Sequence, residues 1–132
     1  MHTVAQYSPV EVFAAMDAFP RQRKAVLSDG NSFKRVSQRL MLFRDNCFCV
    51  DCGIEGTVFL LEKRFRDVSP HMNLYAVDGS GKMILMTKDH ILPKSRGGRD
   101  VMENYQTMCQ ICNSRKGSQL EEERNANSLI SA

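Results

Sequence analysis

The stretch that decides the fold runs from Lys88 to Lys116 and reads KDHILPKSRGGRDVMENYQTMCQICNSRK. Asp89 and His90 end an apolar run, and a loop rich in proline, serine and glycine follows. Asn104 then precedes a cysteine pair that a second asparagine, Asn113, follows directly. So many polar groups would be costly in a hydrophobic core. The pattern therefore predicts a catalytic metal site beside a structural zinc site.

The cysteines occur as two Cys-x-x-Cys pairs, Cys49 with Cys52 and Cys109 with Cys112. One such pair alone is compatible with a redox function, but two pairs favour a single tetrahedral zinc site. Cys47 is a fifth thiol that could replace Cys49, although the two-residue spacing favours Cys49. The two pairs lie much further apart than in compact zinc fingers, so an inserted structure must lie between them.

The composition is that of an ordinary globular protein, with 132 residues, 42% hydrophobic, 25% charged and a net charge of +3. This length fits one domain, with at most a small appended element. The apolar runs are far shorter than the roughly twenty residues of a membrane-spanning helix, so we expect no membrane partner. The amino-terminal segment carries acidic residues where a signal peptide needs an apolar run. We therefore expect a cytoplasmic protein whose reduced cysteines bind metal.

Basic residues cluster in two parts of the chain. Seven lie between Arg21 and Arg44, where Asp29 is the one acidic residue. A second group surrounds the motif and consists of Lys94, Arg96, Arg99, Arg115 and Lys116. Such clusters beside a metal site suit a polyanionic partner such as nucleic acid, and the alternative is a solvated helix face.

The first 46 residues are predicted to be a helical region. Ser8 and Glu11 have the spacing of a capping box, so a helix should begin there. Residues 1–7 are expected to fray, and residues 21–27 to add a helical turn or two. A second helix is expected over residues 32–45, because apolar residues recur there at helical spacing.

The segment between the cysteine pairs is predicted to be a β-rich insert, residues 54–87, with a hairpin turn at 78–81. It belongs to a zinc-stapled domain over residues 47–120, in which a helix follows the second cysteine pair. Residues 121–132 form a carboxy-terminal tail in this prediction.

The side chains of Asp89, His90 and Asn113 together suit phosphodiester hydrolysis. Carboxylate and amide oxygens are hard ligands that favour Mg²⁺ or a similar divalent ion. A neutral imidazole can take a proton from the attacking water near neutral pH. Neighbouring residues in a strand point to opposite faces, so Asp89 and His90 share one site only if the backbone bends there.

The motif resembles the HNH endonucleases, which have the ββα-metal fold. The resemblance rests on Cys-x-x-Cys, Asp-His-x-x-Pro-x-Ser-x-Gly-Gly, Asn and Cys-x-x-Cys-Asn-x-x-Lys, and it covers about residues 87–117 together with the first cysteine pair. It implies an α+β fold with a ββα-metal core and a structural zinc site, to which N-terminal helices and an inserted β-hairpin are added. The implied activity is metal-dependent cleavage of DNA, which leaves 5′-phosphate and 3′-hydroxyl ends.

The resemblance also implies roles for individual residues. His90 would be the general base, and Asn104 would orient it through a hydrogen bond. Asp89 and Asn113 would bind the catalytic ion; asparagine stands where other members have histidine, which shifts the preference toward Mg²⁺ or Mn²⁺. The structural zinc would bind Cys49, Cys52, Cys109 and Cys112. The candidates for DNA contact are Lys94, Arg96, Arg115 and Lys116.

Two other function classes stay open at this point. One is a non-catalytic, zinc-stapled module that binds nucleic acid, and the other is a protein-binding adaptor that acts through the insert and the helices. Each site residue also has a purely structural interpretation, for instance Asn113 as a helix cap. A single active site cuts one strand at a time, so a double-strand break requires either a homodimer or two encounters by a monomer.

Overall fold

The computed structural model describes residues 2–124, and strand pairing organises most of it. In chain order the elements are β1 (His2–Tyr7), α1 (Pro9–Ala18), β2 (Lys24–Val26), β3 (Ser32–Lys34), α2 (Gln38–Asp45), β4 (Gly56–Lys63), β5 (His71–Val77), β6 (Met83–His90), β7 (Tyr105–Cys109) and α3 (Gln110–Lys116). Five strands form one antiparallel sheet in the order β1-β4-β5-β6-β7, and β2 and β3 form a separate hairpin. These helices and strands confirm the predicted α+β fold.

The amino-terminal segment is a strand and does not fray. β1 pairs with β4 in a register that runs from His2 opposite Lys63 to Tyr7 opposite Phe59. Most of its side chains are exposed, and its sequence, HTVAQY, shows no marked alternation of hydrophobic and polar residues. The frayed start predicted for residues 1–7 was therefore wrong, because a partner distant in sequence supplies the hydrogen bonds.

The first predicted helix is confirmed, together with its capping box. The Glu11 amide donates to Ser8 Oγ at 3.1 Å, and the Ser8 amide donates to Glu11 Oε1 at 3.0 Å. Two amides that no helical carbonyl can reach are thereby satisfied. The helix ends at Ala18, two residues before Pro20.

The second helix begins later than its apolar period predicts. Residues 24–34 form the β2–β3 hairpin, so the helical turn expected at 21–27 and the helix start expected at Ser32 were both wrong. Phe33 belongs to the helical stripe in sequence, yet it is buried from a strand, while Val36 of the same stripe is half exposed. α2 is capped by Ser37, whose Oγ accepts from the Leu40 amide at 3.2 Å.

The β-rich insert is present, and it is continuous with the rest of the sheet. β4 and β5 pair along most of their length, and β1 covers the outer edge of β4. Because β1 comes from the first residues of the chain, the sheet crosses the predicted domain boundaries. The division into residues 1–46, 47–120 and 121–132 stays a prediction.

β6 joins two parts of the sheet. Its first residues, Met83 to Leu85, pair with β5, and its remaining residues, Met86 to His90, pair with β7. α3 follows β7 directly and packs on β6, so β6, β7 and α3 form a ββα unit. The largest fully buried side chains include Phe43, Phe59, Leu61, Leu74, Met86 and Met108. Within residues 2–124 we find no helix with the length and hydrophobicity to cross a bilayer.

Candidate functional site

Two chain turns bring four cysteines together. Around the first pair, the Gly53 amide donates to Cys49 O at 2.9 Å, and Gly53 has a φ of 79°, in the left-handed region that glycine tolerates. Cys109 is the last residue of β7, and Cys112 lies in the first turn of α3. Both pairs thus lie in tight turns, which place their four thiols close together.

The geometry of this cysteine cluster fits a tetrahedral metal ion. The Sγ atoms of Cys49, Cys52, Cys109 and Cys112 all lie within 4.8 Å of one another, and those of Cys52 and Cys109 are 3.8 Å apart. A tetrahedron with zinc–sulfur bonds of about 2.3 Å has sulfur–sulfur edges of about 3.8 Å. The four residues could therefore hold a structural metal ion such as zinc.

The thiols of the cluster differ in acidity. Burial alone would raise the pKa of Cys49, but hydrogen bonds from the backbone amides of Cys109, Cys52 and Asp51 outweigh it and lower this pKa to about 7. Burial is the main reason why the pKa values of Cys109 and Cys112 are raised. Four thiolates this close repel one another, so full ionisation requires the charge of a cation.

Cys47 lies outside the cluster. Its Sγ donates to Phe43 O at 3.1 Å, and burial followed by the charge of Glu55 raises the pKa of the thiol. A protonated thiol that already serves as a donor is a poor metal ligand. Of the two candidates in the first turn, Cys49 is the residue that joins the cluster.

A second feature is an open cleft at the end of β6, between the loop after His90 and α3. The cleft has a volume of about 330 Å³, and its lining includes Asp89, His90, Lys94, Asn113 and Lys116. β6 stays regularly paired through His90, so the bend expected at this point is not found. The two neighbouring side chains reach one cleft because the strand ends at His90 and the cleft extends around its end.

Asp89 is buried, and one of its two oxygens is fully engaged. Oδ2 accepts from Lys116 Nζ at 2.8 Å and from Gln106 Nε2 at 2.9 Å. Among residues 2–124, Oδ1 has no hydrogen-bond partner, and no fully buried side-chain oxygen or nitrogen is left unsatisfied there. Oδ1 is therefore the oxygen that faces the cleft.

Lys116 is held inside the protein. Its side chain is 2% exposed, and Nζ donates to His90 O at 2.6 Å as well as to Asp89. The predicted contact of Lys116 with phosphate is not favoured by this placement, since the ammonium group is already bonded and has almost no surface. Here it neutralises Asp89, whose burial as an isolated charge would be costly.

His90 has a carboxylate partner that the sequence analysis did not identify. Its Nε2 lies 2.7 Å from Asp100 Oδ1, and its ring meets the ring of Tyr105 edge to face, with centroids 5.0 Å apart. The hydrogen bond to His90, followed by that to Lys94, lowers the pKa of Asp100. An ionised carboxylate can only accept, so Nε2 carries the proton and Nδ1 of the neutral ring has a lone pair.

The side chain of Asn104 makes its hydrogen bonds within the loop. None of them is to the ring of His90, where one was predicted. The Asn104 side chain accepts from the Leu92 amide at 2.8 Å and donates to Leu92 O and Arg99 O, each at 3.0 Å. These bonds close the loop that runs from His90 to Asp100. Gly98 belongs to the same closure, since a Cβ there would lie 1.8 Å from Leu92 O.

Asn113 projects from α3 toward β6. Its Nδ2 donates to Thr87 Oγ1 at 2.9 Å, and Thr87 Oγ1 donates to Met108 O at 2.7 Å. This orientation leaves the Asn113 amide oxygen without a donor among the described residues. Asp89 and Asn113 both line the cleft, and each has an oxygen without a donor among the described residues, a pair of ligand types that suits Mg²⁺ or Mn²⁺.

The other predicted DNA contacts lie on the surface near the cleft. Lys94 Nζ is 3.0 Å from Asp100, and Arg96 pairs with Glu123 at 2.8 Å. Both side chains remain substantially exposed, as does Arg115 at the end of α3. The structure thus brings Lys94 to the cleft itself and leaves Arg96 and Arg115 on the outer surface.

Comparison with known proteins gives one match. A family model described as HNH endonuclease matches residues 82–129, which begin at β6 and continue past α3. No curated protein and no solved structure matches the chain. The matched residues carry the ββα unit, the cleft and the second cysteine pair. Over residues 82–129 the chain is therefore similar to the HNH endonucleases, and the ββα unit and the cysteine cluster support this similarity.

Proposed function

We propose that this protein is a metal-dependent endonuclease that hydrolyses phosphodiester bonds of DNA, by nicking or cleavage. The observation that carries the proposal is that Asp89, Asn113 and His90 line one cleft, and each keeps an oxygen or nitrogen with no hydrogen-bond partner among the described residues. Each is an acceptor, and together they suit a cation and a water molecule near a phosphate. An intracellular location is part of the same proposal, because the thiols must stay reduced.

Asp89 and Asn113 would hold the catalytic Mg²⁺ or Mn²⁺ through their Oδ1 atoms. Such an ion polarises the scissile phosphate and stabilises the charge that develops on the leaving oxygen. Lys116 supports this arrangement because it neutralises Oδ2 of Asp89 and leaves Oδ1 for the ion. The buried pair also lowers the repulsion between the carboxylate and an approaching phosphate.

His90 would act as the general base. Its Nδ1 takes a proton from a water molecule whose oxygen attacks phosphorus, and the bond from phosphorus to the 3′-oxygen breaks. The leaving oxygen takes a proton from solvent, which leaves 3′-hydroxyl and 5′-phosphate ends. Asp100 is a positioning residue in this scheme, since its hydrogen bond keeps the Nε2 proton in place and stabilises the imidazolium that forms.

The cysteine cluster would supply rigidity to this site. Zinc bound there would tie the start of α3, which carries Asn113, to the end of β7. Lys94, Arg96 and Arg115 are the surface residues that we assign to DNA contact. Their charges would attract the phosphate backbone without reading its sequence.

The test is a plasmid-nicking assay on His90→Ala. General-base catalysis contributes roughly 10²–10⁴-fold, so we expect nicking to fall by at least about a hundredfold. Zinc content and DNA affinity should stay at the wild-type level, because the His90 side chain hydrogen-bonds to Asp100 and to none of the four cysteines or the surface basic residues. His2→Ala, on the exposed edge strand, is the matched histidine control.

Nicking should require Mg²⁺ or Mn²⁺ and stop when the ion is removed. Full activity in His90→Ala would refute the assignment of the base. Should the wild-type protein bind DNA but nick it with neither ion, the non-catalytic nucleic-acid-binding module becomes the correct function.

A further inference from the structure

A second depression opens where two strands of the sheet part. β5 and β6 pair only between Tyr75–Val77 and Met83–Leu85. Beyond Leu85, β6 pairs with β7, so the stretch of β5 from His71 to Asn73 has no partner on that side. The gap forms a groove of about 680 Å³, bordered on one side by the connection from β3 to α2. We call it the β5–β6 groove.

The β5–β6 groove is positively charged at its rim. Four cationic side chains line it, from Lys34, Arg39, Arg64 and Lys88, against two carboxylates, from Glu62 and Asp67. Arg39 lies deeper than the rest and is held by Met72 O at 2.7 Å and Asn73 Oδ1 at 2.8 Å. Lys34 and Arg64 are exposed.

Both carboxylates of the groove are occupied by the protein itself. Glu62 is buried and accepts from Tyr75 Oη at 2.5 Å and Asn73 Nδ2 at 2.9 Å. Asp67 accepts from the Arg64 amide at 2.8 Å and lies 3.7 Å from His71 Nε2. The exposed charges at the rim are therefore mainly cationic, which favours an anionic ligand.

Lys88 connects the groove with the catalytic cleft, because its side chain lines both. Lys88 Nζ lies 4.1 Å from the centroid of the Tyr105 ring, which in turn packs against the ring of His90. A polyanion bound at His90 that continues past Lys88 therefore enters the groove.

The loop between β4 and β5 carries an exposed aromatic side chain next in sequence to a residue of the groove. Phe65 is fully exposed, and Arg64 and Arg66 flank it in sequence. Arg64 lines the groove, and it also lines a neighbouring depression together with Phe65, His2 and Lys63. Guanidinium groups next to an exposed ring can contact phosphate and base together, as in many nucleic-acid-binding surfaces.

We propose that the β5–β6 groove and Phe65 form a second contact surface for the DNA substrate. Phosphates next to the cleaved bond would lie along Lys88, Lys34 and Arg64, while the Phe65 ring stacks on a base. The inference rests on the nuclease function proposed above, and it assigns a task to residues that lie largely outside the matched segment 82–129. An anionic partner is favoured because the exposed charges at the rim of the groove are mainly cationic.

The first experiment measures DNA affinity against salt concentration in the His90→Ala background, where the substrate stays intact. Each phosphate contact contributes about 0.9 to the slope of log K against log salt. Lys34→Ala combined with Arg64→Ala should therefore make the slope shallower by roughly two. Lys82→Ala, in the turn at the paired end of the β5–β6 hairpin, is the control and should leave the slope nearly unchanged.

The second experiment uses the fact that the chain contains no tryptophan. Phe65→Trp introduces a single fluorophore and keeps a flat ring, so DNA should quench its emission without loss of affinity. Val10→Trp, on the exposed face of α1, is the matched reporter and should keep its emission. Phe65→Ala should weaken DNA binding by roughly tenfold, as loss of one stacked base does.

The two proposals fail in different ways. An active wild-type enzyme with an unchanged salt slope in Lys34→Ala/Arg64→Ala and unquenched emission in Phe65→Trp would overturn the second surface alone. A wild-type protein that nicks no DNA would overturn the nuclease function, whatever the groove binds.

Discussion

The two ends of the chain are held in place by different kinds of interaction. In the carboxy-terminal half, from β6 to α3, each element packs on one nearby in sequence, and a cysteine cluster fixes the turn into α3. In the amino-terminal half, from β1 to α2, the edge strand depends on β4, whose residues come more than fifty positions later. Packing between sequence neighbours thus positions one half, to which the cysteine cluster adds a link to Cys49 and Cys52, while long-range strand pairing positions the other.

The halves meet at β7 and the first cysteine turn. Thr107 Oγ1 donates to Asn46 O at 2.7 Å, just after α2, and the Val50 amide donates to Thr107 O at 2.9 Å. Gln38, at the start of α2, accepts from Tyr105 Oη at 3.1 Å. The two halves are therefore connected by hydrogen bonds around buried side chains. A substitution that removes one of these bonds should lower stability without disturbing the packing within either half.

The largest expected effect comes from Cys52→Ser, which attacks the cysteine cluster. Cys52 is the exposed member of the four, so the substitution removes a ligand without opening a cavity. Structural zinc contributes about 10–16 kcal/mol of apparent binding energy to folding, so we expect zinc loss and a non-cooperative unfolding transition. Metal analysis and thermal denaturation measure both.

Cys47→Ser is the matched control for this experiment, since Cys47 lies outside the cluster. It should keep one zinc per chain and unfold cooperatively. Equal zinc loss in both variants would contradict the assignment of the four ligands.

An intermediate effect is expected from Gly56→Ala, which attacks the pairing of β4. A Cβ at position 56 would lie 2.5 Å from Cδ2 and 2.6 Å from Cγ of Leu74, whose side chain is completely buried. Overpacking of this kind costs about 1–3 kcal/mol, so the denaturation midpoint should fall while zinc content is retained.

Gly79→Ala provides the comparison, because a Cβ at that turn position meets no atom within 4 Å. Its free energy of unfolding should stay close to wild type. If Gly56→Ala also released zinc, the two halves would not be held by separable interactions.

The smallest effect is expected at the connection between the halves, from Thr107→Val. The substitution keeps the shape of a fully buried side chain and leaves Asn46 O without its donor. An unsatisfied buried acceptor costs about 1–3 kcal/mol, and we expect a loss near the lower end, about 1 kcal/mol, by urea denaturation. Thr57→Val, on the exposed face of β4, is the control and should leave stability unchanged.

Elements held by local hydrogen bonds were easier to predict from the sequence than elements held by long-range strand pairing. The capping box at Ser8 was predictable because its two hydrogen bonds join residues three positions apart. β1 and the β2–β3 hairpin were missed, since neither has a strong local pattern and pairing overrides propensity there. Phe33 is the clearest case, because it fits a helical period and is nevertheless buried from a strand.

At the candidate site, residue types were easier to predict than partners. Asp89, His90 and Asn113 do line one cleft, and the four predicted cysteines cluster. The bond from His90 to Asp100, the buried amine of Lys116 and the loop contacts of Asn104 were not anticipated. A carboxylate in a glycine-rich loop after a histidine is the signal that could have indicated Asp100, but the closure of that loop decides the contact.

The sequence by itself determined the chemistry: two thiol pairs at ligand spacing, a carboxylate beside an imidazole, and an asparagine after the second pair. Spacing carries this information because neighbouring residues cannot move far apart. Only the tertiary structure decided which atoms stay free, since Oδ2 of Asp89 and Nε2 of His90 are each engaged by a residue ten or more positions away. Only it could place a basic groove beside the cleft, because that groove exists where β6 leaves β5 for β7.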